Sequence, residues 1–290
     1  MYYLTNTLIN MVSIQSLSFS YTRKQQLFSD LNLQLNKGHI YGLLGKNGAG
    51  KSTLLKNMIG LAFPISGNCR INNMDVSKRP VAVLEDIYLL PEDIYVPSLT
   101  PRMFAKRTGS FYPKFNVAQY IAHLKVLDID TEAMLDKLSF GQQKKAMLAF
   151  GLATNTSLLI MDEPTNGLDI PSKVQFRKLI AAALTEERCI IISTHQVRDL
   201  DSLIDTLLVL HDHEIVVTRE IDDIAGKLIF GSYAETNTLP VLYEEENIRG
   251  KKAILQNTTG ENSKIDLELL FNAIISGNQP VLEILKNDKK

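Results

Sequence analysis

Nine residues constrain this chain more than any others: GKNGAGKST, Gly45 to Thr53, set directly behind the apolar run IYGLL, Ile40 to Leu44. Gly45, Gly50, Lys51 and Ser52 stand in the register of a phosphate-binding loop. Glycines let consecutive backbone N–H groups turn inward around phosphate oxygens, so Lys46, Asn47, Gly48, Ala49 and Thr53 take part through their place in the loop. The following segment, KSTLLKNMIG, reads as a helix whose positive end points at the bound anion. Lys51 adds a full charge near the β- and γ-phosphates, and the Ser52 hydroxyl is a candidate ligand for Mg²⁺. A strand, a glycine loop and a helix in this order make a nucleotide site.

Two further short apolar runs, SLLIM (Ser157 to Met161) and CIII (Cys189 to Ile192), resemble the first. Runs without polar alternation are buried on both faces, which predicts an α/β chain with a mostly parallel sheet covered by helices. Ligands in such sheets bind at the carboxyl ends of the strands. The second run ends in MDEP, where adjacent carboxylates on an extended chain diverge and take different tasks. Asp162 is the expected metal ligand, and Glu163 the group that polarises a water for attack on the γ-phosphate. The third run ends in STH and brings His195 to the same edge, within reach of the γ-phosphate.

The rest of the chain is less explicit. VSIQSLSFSY and DLNLQLN alternate with period two, as half-exposed antiparallel strands do. A largely helical stretch follows. Thr100 and Pro101 predict a helix start, Asn116 and Gln119 another, and NVAQYIAHLKVL places Val117, Tyr120, Ile121, Leu124 and Leu127 on one face. KLSFGQQKK, Lys137 to Lys145, holds no acid, histidine or thiol, yet Ser139 with Gln142 forms a capping-box pattern. Beyond about residue 220, KLIF, PVLYEE and KAILQN read as short strands and IDLELLFNAIISG as a closing helix, a small α+β appendage. HDH (His211 to His213) reads as a hairpin turn, DID (Asp128 to Asp130) as a break between helices, and EEE (Glu244 to Glu246) as a solvated strand end.

Composition limits the partners. A net charge of −1 supplies no field to gather nucleic acid, and two distant cysteines, Cys69 and Cys189, fit a reducing cytoplasm. No apolar run reaches the 18 or so residues that span a bilayer, and MYYLTNTLIN lacks the pattern of an export signal. A soluble protein is expected, with residues 1–11 an N-terminal arm and any membrane role exercised through a partner.

GKNGAGKS, LSFGQ, LLIMDEP, NGLD and STH, in that order, resemble the nucleotide-binding subunit of an ATP-binding cassette (ABC) transporter. The resemblance covers residues 12 to about 220 and implies a P-loop NTPase core with an antiparallel β subdomain and a helical subdomain at about 97–150. It also implies ATP and Mg²⁺, and a second ABC ATPase subunit. In that family the LSFGQ-like helix start faces the γ-phosphate held by the other subunit, so Ser139, Gly141 and Gln142, with Asp169 of NGLD, would serve the partner's ATP. Tyr21 stands where an aromatic residue stacks on adenine.

Two positions depart from the family pattern: Glu92, in YLLPED, where glutamine is usual and close to the metal is expected, and Phe140, where glycine is typical. The family further implies a separate integral membrane permease that keeps the protein at the inner face of the cell membrane. Phe111, Tyr112 and Phe115 of GSFYPKF are candidates either for docking it or for packing the subdomain. FYP and the C-terminal region look similar to bacterial subunits that export drugs or antibiotic peptides. The competing expectation is a soluble ABC ATPase acting on a ribosome, DNA or an assembly factor.

Overall fold

In the computed structural model, which describes residues 10–22, 25–236, 240–248, 250–258, 260 and 263–286, most of the expected N-terminal arm lies outside the described residues. The chain begins with β1 (Val12–Phe19), β2 (Phe28–Leu35), β3 (Ile40–Leu44), α1 (Lys51–Met58), β4 (Ser66–Ile71), β5 (Met74–Asp75), α2 (Val81–Leu84) and β6 (Ile87–Leu90). The helices α3 (Pro101–Thr108), α4 (Val117–Val126) and α5 (Phe140–Ala153) follow, then β7 (Leu158–Asp162), α6 (Ile170–Ala183), β8 (Cys189–Thr194), β9 (Thr206–His211) and β10 (Glu214–Glu220). The last part holds α7 (Ile221–Lys227), β11 (Leu228–Tyr233), β12 (Val241–Asn247), β13 (Gly250–Gln256), α8 (Leu267–Ile275) and α9 (Gln279–Lys286).

The three apolar runs are neighbours at the centre of one sheet, ordered β10-β9-β3-β8-β7-β6. Every residue of β3, β7 and β8 is buried. Their side chains divide between two cores. Ile40, Leu44, Leu159, Met161, Ile190 and Ile192 belong to the core with helices α3 to α6, while Tyr41, Leu43, Leu158, Ile160 and Ile191 belong to the core shared by α1 and the antiparallel sheet β2-β1-β4-β5. Alternation across a sheet covered on both sides explains the absence of a polar period in these runs. The pairings β3–β8, β7–β8, β6–β7 and β3–β9 are parallel, and β10 returns antiparallel through the turn at Asp212 and His213, both at positive φ.

The helix starts follow their caps. The Thr100 hydroxyl accepts from the Met103 N–H with Pro101 at the first turn, and the Asn116 side chain accepts from the Gln119 N–H. Within the helical layer, Phe150 is fully buried and its ring lies 4.7 Å from Phe104, 4.9 Å from Phe115 and 5.7 Å from Tyr120. Truncating such a ring leaves a cavity that its neighbours fill only in part, so Phe150→Ala is expected to lower unfolding free energy by about 3–5 kcal/mol. Urea denaturation checks this as a lower midpoint at unchanged slope.

Several expectations need correction. β4, β5 and β6 interrupt the stretch read as helical: β4 and β5 are short and partly polar, and β6 is a four-residue apolar run too short to be told from a buried helix segment. Val117 is exposed, because the first turn of α4 projects past the core that holds Tyr120 and Leu124. The aromatics of GSFYPKF divide: Phe111 is 72% exposed, whereas Tyr112 and Phe115 pack on Phe150. Glu244–Glu246 do form the solvated end of β12, with Glu244 and Glu246 exposed; there Glu245 and Glu246 stand opposite Lys252 and Lys251 and Glu244 pairs with Lys251. Opposite charges across a ladder make an acidic run compatible with a strand. The C-terminal segment adds α7 and α9 to the expected elements, and its apolar residues belong to the same core as the helical layer.

Candidate nucleotide site

The carboxyl ends of β3, β8 and β7 are level: Leu44 pairs with Thr194, and Asp162 with Ser193. The glycine loop, the acidic pair and His195 therefore leave the sheet side by side. They border a cleft of roughly 560 Å³ lined by Tyr21, Asn47, Lys51, Ser52, Glu92, Glu163 and His195 among others.

The loop is shaped for an anion. Gly50 caps α1 in a left-handed conformation (φ 108°) with no side-chain hydrogen bond at the cap. A Cβ there would come within 2.9 Å of the Phe28 ring, so glycine is required by both space and backbone. Lys51, buried, donates from Nζ to the carbonyls of Gly45 (2.8 Å) and Lys46 (3.3 Å) and lies 3.6 Å from Glu163 Oε1. Its ammonium is thus held at the mouth of the helix. Tyr21 is 67% exposed, edge-on to Phe19, and hydrogen-bonded to the Thr53 hydroxyl at 2.9 Å, leaving a ring face on the cleft wall. Lys46 and Asn47 are exposed on the loop, with Gly48 at φ 81° and the Ala49 N–H donating to Lys46 O.

The two acids are set apart as their adjacency requires. Asp162 is buried and accepts from the Ser193 hydroxyl through Oδ1. Glu163 is 3% exposed and turns into the left-handed region (φ 47°). Its Oε1 accepts from the His195 N–H (2.9 Å) and Nδ1 (2.8 Å), and its Oε2 accepts from the Thr194 hydroxyl (2.9 Å). Each carboxylate oxygen offers two lone-pair directions, so Oε2 retains room for one more donor. With the Nδ1 proton turned to Glu163, only the remaining nitrogen, Nε2, is left for another ligand.

Glu92 accepts from Asn166 Nδ2 (3.2 Å), Asn166 Oδ1 accepts from Gln196 (3.1 Å), and Gln196 accepts from Lys173 (3.2 Å). Lys173 is ion-paired with Asp199 at 2.9 Å. This chain of polar contacts joins the loop after β6, the NGLD turn and the segment after β8. Asn166, Gln196, Thr194 and Ser193 were missed from sequence, because each acts through a neighbour found only in three dimensions.

Ser139, Gly141, Gln142 and Asp169 do not line the cleft. Ser139 and Gln142 complete the expected capping box, with the Gln142 N–H donating to Ser139 Oγ (3.3 Å) and the Ser139 N–H to Gln142 Oε1 (3.0 Å). Gly141 packs against the NGLD turn so closely that an added Cβ would meet Gly167 O at 2.7 Å. Asp169 caps α6, and hydrogen bonds from Ser172 hold its carboxyl below the ordinary range. Among the described residues no group of three or more His, Cys, Asp or Glu forms a metal centre, and no helix is long and apolar enough to cross a membrane. The Ser52 hydroxyl and the Asp162 carboxylate are oxygen donors, the ligand type a hard divalent cation prefers.

The ABC transporter family model matches residues 28–166. Bacitracin transport ATP-binding protein BcrA of Bacillus licheniformis is 30% identical over 231 residues, covering 76% of this chain and 74% of that protein. Lantibiotic transport ATP-binding protein SrtF of Streptococcus pyogenes is 29% identical over 212 residues, covering 73% and 92%. A solved ATP-binding subunit of an ABC transporter has a TM-score of 0.67 at 25% identity, covering 74% of this chain and 91% of that one.

Proposed function

The chain belongs to the ABC transporter ATP-binding proteins, and from that membership we propose that it pairs around ATP and powers export through a separate membrane permease. The observation that carries the pairing is the position of the signature residues. Ser139, Gly141, Gln142 and Asp169 stand outside the chain's own cleft, which supports a reading in which each protomer supplies half of each active centre. In a head-to-tail pair, Ser139 and the Gly141 N–H would meet the partner's γ-phosphate, helped by about half a positive charge from the N-terminus of α5. Asp169 would lie across the same boundary.

Within the cleft each residue has a task. The loop amides and Lys51 bind the phosphates, while Tyr21 stacks on adenine. Ser52 and Asp162 would hold Mg²⁺, with Glu92 facing the same space, and that ion when bound neutralises phosphate charge. Glu163 accepts a proton from the attacking water at Oε2, while His195 is fixed by its contact to Oε1 and presents its other nitrogen to the γ-phosphate. Loss of the γ-phosphate would let the pair reopen, and that cycle of closure moves the permease.

The names of two relatives, bacitracin and lantibiotic transport ATP-binding proteins, support a peptide or drug-like cargo, and Phe111 supplies an exposed apolar contact for a membrane partner. The protein would then reside on the cytoplasmic face of the membrane through that partner. Affinity purification of the full chain from detergent-solubilised membranes tests this. A stoichiometric polytopic membrane protein is the expected co-purifying species; recovery of ribosomes or soluble factors alone would overturn the transport assignment.

A further inference from the structure

Two departures from the family pattern converge on one unusual residue. Lys144, on the second turn of α5, is only 1% exposed, which a lysine tolerates only where its charge is paired or hydrogen-bonded. Its Nζ donates to the backbone carbonyl of Glu163 at 2.6 Å. The same ammonium lies 5.5 Å from the centre of the Phe140 ring, the residue that stands where glycine is typical. Burial pulls the Lys144 pKa down, while the nearby carboxylates of Glu92, Glu163, Asp162 and Asp93 favour its charged form. The buried cation thus stands beside the added aromatic ring and among the acids of the cleft.

The hydrogen bond falls at a strained place. Glu163 holds a positive φ without being glycine, and Pro164 narrows its conformations further. Such backbone persists only where surrounding contacts over-determine it. Here the Glu163 N–H donates to Ser193 O (3.0 Å), and its carbonyl is taken by Lys144. One end of the residue is tied to β8 and the other to α5, the helix whose N-terminus carries Ser139 and Gly141.

We propose that Lys144 is a positioning residue that fixes the left-handed backbone of Glu163 and couples the signature end of α5 to hydrolysis in the same protomer. This rests on Glu163 being the base. When the start of α5 engages the neighbouring protomer's nucleotide, a shift of the helix reaches the Glu163 carbonyl through a single charged hydrogen bond and aims the carboxylate at its water. Each active centre would then sense whether the opposite one is loaded.

The test is a comparison of Lys144→Met, Lys144→Gln and Lys144→Arg in the full-length protein with Glu163→Gln. Steady-state kcat and KM are measured beside equilibrium binding of a fluorescent ATP analogue and thermal melting. Lys144→Met is expected to lower kcat ten- to a hundredfold with nucleotide binding changed less than about threefold. Lys144→Gln, which keeps a donor without the charge, should fall between it and the parent protein, and Lys144→Arg should recover most of the rate. Turnover within twofold of the parent by folded Lys144→Met or Lys144→Gln would overturn the assignment. So would a fall in kcat matched by an equal loss of binding, or unfolding of both variants, since Lys144 would then be a structural residue alone. Near-normal hydrolysis by Glu163→Gln would instead remove the base itself, a distinct result read from a different protein.

Discussion

Replacing Glu163 with glutamine is expected to cut ATP turnover by about 10²- to 10⁴-fold, the range a positioned general base contributes. The change is nearly isosteric, and the surrounding contacts survive it. The amide oxygen can still accept from the His195 N–H and Nδ1, while the amide nitrogen can donate to the Thr194 hydroxyl. What disappears is the basic lone pair on Oε2. Binding should therefore persist within a few-fold, and Mg·ATP should drive the variant into stable pairs. Single-turnover phosphate release and light scattering read the two effects separately. Turnover close to normal would remove Glu163 from the chemistry, and a variant that stays monomeric with ATP, both alone and in its membrane assembly, would remove the paired site.

Lys51→Met should act one step earlier, on binding. The ammonium is buried at the mouth of α1 and faces two loop carbonyls and the Glu163 carboxylate. A hydrogen bond to a charged group is worth about 1.5–3 kcal/mol, and each 1.4 kcal/mol is tenfold in affinity. ATP affinity is expected to fall about 10- to 100-fold, with hydrolysis at background. Equilibrium titration with a fluorescent nucleotide gives the first number directly. A variant that binds ATP as the parent does would exclude Lys51 from the phosphate site. Because Glu163 keeps its contacts to Thr194 and His195, the apo fold should melt within a few degrees of the parent protein.

The elements legible in the sequence were those with a local cause. The phosphate loop, the all-apolar strands and the capped starts of α3, α4 and α5 each follow from neighbours a few residues apart. The strands β4 to β6 were not legible, because β4 and β6 are stabilised by pairing with the distant β1 and β7, and β5 is only two residues paired back on β4. The same division runs through the site. Lys51, Asp162, Glu163 and His195 announce themselves by motif, whereas Lys144 looks like half of a solvated KK pair. Only the fold reveals that Lys145 is the half-exposed member and Lys144 the interior one. The contact between Glu92 and Asn166 joins residues 74 positions apart and leaves no sequence trace.

The shared core has a consequence for the region after β10. Ile224, Leu228, Ile254, Leu269 and Val281 pack in one continuous cluster with Val197, Leu200 and Val217. Arg198 reaches Glu268, and Arg219 donates to the carbonyls of Leu285 and Lys286 at the end of α9. A protease cutting near residue 220 would meet no hinge, and a chain shortened there would uncover a greasy flank on β10 and on the segment after β8. Such a fragment should precipitate rather than persist as a minimal enzyme.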